Sequence, residues 1–158
     1  MTSYCRTGSP YGTLLVRAII PLWVLIGAAV KLSTRNPKFL PEPVLETIRA
    51  VGNVLGVSDP GWWLGMSFRT LIGVEIALAL IMIASPRLAR IAASFILTVF
   101  LAVLVATMAM AANRDGLSAI WSGSCGCFGS ASPPPLVMFA IDAGLFAMIL
   151  LVRPLREN

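Results

Sequence analysis

Four apolar runs, at about 13–32, 63–84, 91–112 and 136–152, leave this chain little choice of fold, because each approaches the roughly 20 residues a helix needs to cross a bilayer. Composition agrees. With 58% apolar and 12% charged residues, and a mean hydropathy of +0.87, the chain lies far from the balance of soluble domains. The expected fold class is all-α: an integral membrane four-helix bundle, one domain over residues 1–158.

The breaks between the runs set the connections. Ser85-Pro86-Arg87 reads as a tight turn, since proline interrupts the helical hydrogen-bond ladder and arginine resists burial in lipid. The second and third runs should therefore form an antiparallel hairpin. The longest connection, 33–61, holds Pro37, Pro41, Pro43 and Pro60 around a stretch with Val44, Leu45, Ile48, Val51, Val54 and Leu55 at one-sided helical spacing. Two readings fit it: a short interfacial amphipathic helix between the first two spans, with Trp62 and Trp63 as anchors, or a cap packed over the bundle. The first run follows Arg6 and ends near Gly27-Ala28-Ala29, the outline of a cleaved signal peptide. It is long for one, and Arg17 and Pro21 interrupt it, so a retained helix is expected. Small residues in the last two runs, Ala102, Ala106, Ala109, Ala140, Ala143, Gly144 and Ala147, suit close helix packing or a partner helix.

Four spans place Arg6, Arg87, Arg90, Arg153 and Arg156 on one side and Lys31, Arg35, Lys38, Arg49 and Arg114 on the other. The first set is packed into shorter segments, which puts the termini in the cytoplasm. In a bacterial inner membrane the segment between the third and fourth spans then faces the periplasm. The net charge of +5 reads as topology signal and contact with anionic headgroups, not as nucleic-acid binding.

That segment carries Cys125-Gly126-Cys127-Phe128-Gly129 in a chain with three cysteines and no histidine. Two thiols so close at an oxidising surface point to redox exchange through Cys125 and Cys127. A disulfide between them closes a very small ring, and strained disulfides are the readily reduced ones. Gly126 eases the closure, and Gly129 the turn after Phe128. Static loop thiols, or a bridge to another chain, are the alternative. Cys5 falls on the opposite side and should not pair with either. Two thiolates with Met108 or Met110 would suit a soft cation such as Cu(I), but the methionines read better as packing, and no metal site is expected.

Arg17, Arg69, Glu75 and Asp142 are ionisable residues within the runs, where charge is costly and usually finds a partner. Asp142 lies roughly 9 Å into the fourth run at 1.5 Å per residue, at the side where Arg69 opens the second. The expected pairs are Arg69 with Asp142, beneath the cysteines, and Arg17 with Glu75. Either pair would lock bundle register; the first is also placed to tune a thiol or hold a quinone headgroup. No cofactor motif is evident, and quinone is the one cofactor this reading admits.

The run carrying Arg17 and closing with Lys31-Leu32, the Gly73-Val74-Glu75 triplet and the Cys125-Gly126-Cys127-Phe128-Gly129 motif before the last run resemble the methylamine-utilisation MauE branch of the DoxX-like membrane proteins. The resemblance implies a four-helix membrane protein that supports disulfide formation or thiol transfer for periplasmic proteins, beside a thioredoxin-like partner, with Cys125 and Cys127 as the redox pair. Ser124 stands where that family often has an acidic residue, and Pro133-Pro134-Pro135 is not among its features. Two functions follow: a membrane thiol–disulfide redox protein with a periplasmic thiol partner, or a non-catalytic accessory subunit packed against a larger membrane complex.

Overall fold

The structure, a computed structural model, describes residues 10–37, 40–122 and 133–151. Every regular element among them is helical. Three helices are long and apolar enough to cross a membrane: α1 (Pro10–Thr34), α3 (Pro60–Ala84) and α4 (Pro86–Asp115). Between α1 and α3 lies α2 (Glu42–Val54), and after α4 come the single turn α5 (Ala119–Ser122) and the apolar α6 (Pro135–Leu151).

Proline and capping chemistry delimit these elements. Pro21 has no N–H for the ladder, and its ring would crowd the carbonyl four residues back. Just before it, α1 widens into a π turn over Leu15–Ile19, in which the Ile20 N–H reaches the Leu15 carbonyl. Asp59 caps α3, its Oδ1 accepting from the Gly61 and Trp62 N–H groups at 2.9 and 3.0 Å, while Pro60 occupies the first turn, where a missing N–H costs nothing. Ser85, extended before Pro86, breaks the chain between α3 and α4 as the residue before a proline tends to. At the start of α6 the Pro134 carbonyl accepts from the Val137 and Met138 N–H groups.

Successive long helices run antiparallel, and two arginines pin one end of the assembly. Arg17 Nη2 donates to the Ile83 carbonyl at 3.2 Å, joining the start of α1 to the end of α3. Arg90 Nη2 donates to the Ile149 carbonyl at 3.1 Å, joining the start of α4 to the end of α6. Ile20, Val24, Ala79, Met82, Ala93, Leu97 and Ile149 form the largest buried cluster near that end. The small residues of that cluster are Ala79, Ala89, Ala92 and Ala93. Of the small residues read as suiting close packing or a partner helix, Ala102, Ala109, Ala140, Gly144 and Ala147 are exposed and outside the core. Periodicity decides this, since Ala89, Ala93, Ile96, Leu104 and Thr107 mark the inward face of α4, and Ala102 and Ala109 each stand two positions from it.

The opposite end is closed by α2. Val44, Leu45 and Ile48 pack on Ala28, Leu40, Phe68 and Ile72, and Trp63 Nε1 donates to the Ile48 carbonyl at 2.8 Å. Gly52 lies under the Trp63 ring, where an added Cβ would stand 2.8 Å from Cδ1. Only the first half of the apolar face is used in this way, and Val51, Val54 and Leu55 remain exposed.

Candidate functional site

The inward faces of α1 and α3 carry charge as well as hydrocarbon. On α3 the buried positions are Phe68, Ile72, Glu75, Ala79 and Met82, a three-and-four spacing that aims one stripe at the bundle interior. On α1 beyond Pro21 they are Val24, Gly27, Ala28 and Lys31. Because the helices are antiparallel, Lys31 meets Glu75: Nζ lies 2.5 Å from Oε1, with Lys31 6% and Glu75 5% exposed. The ammonium also stands 5.7 Å from the centre of the Phe100 ring, close enough for a cation–π attraction. Thr34 Oγ1 and the Arg35 N–H both donate to the Lys31 carbonyl, holding the end of α1.

Asp142 is 1% exposed and accepts a hydrogen bond from Trp23 Nε1 at 3.1 Å. These four side chains border one cavity of about 140 Å³ between α1, α3, α4 and α6, otherwise walled mostly by hydrocarbon. Leu40, Pro41 and Val44 close it on the α2 side, and Val74, Phe95 and Val99 line it between α3 and α4. Those last three are exposed, so the cavity opens sideways, toward where lipid would lie. Glu75 Oε2 is fully buried and has no hydrogen-bond partner among the described residues. The cavity can thus offer a carboxylate oxygen as acceptor and, from an ammonium with three N–H groups, a donor.

Both expected charge pairs are replaced. Glu75 takes Lys31 and not Arg17, because Arg17 contacts the α3 backbone at Ile83, eight residues and about 12 Å along the helix from Glu75. Asp142 takes Trp23 and not Arg69: Arg69 follows the inward Phe68 by one position, about 100° round the helix, and is exposed beside Trp62 and Met66. Cys5, Cys125, Gly126, Cys127, Phe128 and Gly129 lie outside the described residues. In the sequence Lys31 stands out only as a topology charge at the end of the first run, and Trp23 as one more apolar residue of that run. A signal existed for Lys31, since it continues the Ile20, Val24, Gly27 spacing. Trp23, three residues after Ile20 and four before Gly27, lies on the same side, so that spacing was a signal for it as well.

Comparison with protein-family models, with curated proteins and with solved structures finds no match for the chain.

Proposed function

We propose that the chain is a multi-pass inner-membrane thiol–disulfide redox protein, with four spans, cytoplasmic termini and the Cys125-Gly126-Cys127 segment in the periplasm. One observation carries the reading. The sequence between α5 and α6 holds both cysteines, and α6, which follows them, buries Asp142 about 10 Å from its start, beside the cavity that Lys31 and Glu75 also border. The resemblance of Cys125-Gly126-Cys127-Phe128-Gly129 to the MauE motif supports the same chemistry. A thiolate of a periplasmic partner attacks one sulfur of the Cys125–Cys127 disulfide, and a mixed disulfide resolves to oxidised partner and two thiols. Two electrons and two protons pass to Cys125 and Cys127. Reoxidation by a membrane quinone moves the same two electrons and two protons and yields hydroquinone.

Alkylation and mass spectrometry of membranes equilibrated in defined thiol buffers test this. The expected result is a reversible couple more oxidising than about −300 mV, the region below which structural disulfides sit. Thiols that never oxidise, or a bond that never reduces, would overturn it.

A specific observation favours the second reading. Ala140, Gly144 and Ala147 present small residues on an exposed side of α6, a surface that would let a partner helix approach closely in lipid. In that case the chain is an accessory subunit, and a stoichiometric companion should survive detergent purification.

A further inference from the structure

The Glu75 cavity is unusual in having one orphaned charged atom in a wall that is otherwise apolar or paired. A buried carboxylate oxygen without a donor carries an unrecovered desolvation cost, so a ligand that brings a donor to Glu75 Oε2 gains an interaction that a plain hydrocarbon cannot. Size narrows the ligand. About 140 Å³ is close to the roughly 150 Å³ of an engineered apolar cavity that admits benzene, which fits a single six-membered ring. Shape and access narrow it further. Trp23, Phe95 and Phe100 supply aromatic walls and Val74, Phe95 and Val99 a sideways opening, which favour a flat molecule that partitions into lipid.

We propose that this cavity binds the ring of an aromatic alcohol, a phenol or hydroquinone, with Glu75 Oε2 accepting the hydroxyl hydrogen and Lys31 facing a second ring oxygen where there is one. The assignment rests on and deepens the redox reading by naming a site for the hydroquinone that quinone reoxidation of the thiols would leave, yet ring binding needs neither cysteine.

The test uses the full chain in phosphatidylcholine nanodiscs, with empty nanodiscs as the partition control, and follows 4-fluorophenol and 4-fluorotoluene by ¹⁹F NMR. The two rings are nearly isosteric and differ in one hydroxyl. The phenol is expected to bind at least tenfold more tightly. Equal binding, or no binding of either above the lipid control, overturns the proposal. A Lys31→Met/Glu75→Met chain removes donor and acceptor without leaving a lone buried charge, and should keep fluorotoluene binding while losing the preference. Should that chain fail to fold, the comparison on the unaltered protein still decides. The titration is repeated on Cys125→Ser/Cys127→Ser: preference retained there upholds the ring site even if thiol exchange proves absent, whereas preference lost there overturns it. Displacement by a prenylated hydroquinone at lower membrane concentration than its tail-less parent identifies a membrane source; equal displacement identifies a free phenol. Displacement by neither overturns the assignment.

Discussion

A buried lysine and a buried glutamate in contact cost far less than either alone, so Lys31 and Glu75 should behave as a unit. Glu75→Leu leaves the ammonium at 6% exposure without its partner and is expected to destabilise the bundle by about 3–5 kcal/mol. Lys31→Met/Glu75→Met should recover most of that loss, as thermal unfolding in detergent would show; equal damage from both would mean that the pair is not coupled. Asp142→Leu removes the carboxylate that accepts from the part-buried Trp23 Nε1–H, and its cost should be about 1.5–3 kcal/mol, that of a hydrogen bond to a charged group. Asp142→Asn keeps an acceptor oxygen and should lose less in the same melts. By contrast, Arg114 and Glu42 meet at 2.9 Å with both side chains largely in solvent, and Arg114→Ala should leave the melting temperature unchanged, as expected for an exposed ion pair. Of these pairings none was legible from charge alone, because partner choice depends on how each helix is rotated and on which helix lies opposite.

At the scale of elements, helix ends were the most legible feature and helix faces the least. Ser85-Pro86, Asp59-Pro60 and Pro134-Pro135 act through local chemistry, a missing N–H or a capping carboxylate, and need no tertiary partner to do so. The face of α4 that packs is a tertiary matter, since an apolar helix buried in lipid shows little contrast between its sides. The two alanine sets give a direct comparison. Ala93 is fully buried and Ala140 is exposed, so Ala93→Leu should cost about 1–3 kcal/mol by overpacking. Ala140→Leu should leave the melting temperature unchanged and weaken any companion that co-purifies. Gly52→Ala should also lower stability, by about 1–3 kcal/mol, because the new Cβ would lie 2.8 Å from the Trp63 ring and push α2 away from α3.

For the molecule as a whole, exposed Leu22, Ile26, Val74, Leu80, Phe95 and Val105 make an aqueous monomer untenable and a bilayer the natural solvent for α1, α3 and α4. Membrane-impermeant maleimide applied to intact cells should label Cys125 or Cys127 after reduction and spare Cys5; the reverse pattern would invert the proposed orientation. By itself the sequence determined that the chain is helical and suited to a membrane, roughly where its long helices start and stop, and that two cysteines adjoin the last of them. Each of these depends on composition or on neighbours a few residues away. Only the tertiary structure decided that Lys31 lies against Glu75, that Trp23 holds Asp142, and that the four surround one cavity. The physical reason is register: a rotation of about 100° per residue and a slide of about 1.5 Å choose the partners, and packing between distant segments sets both.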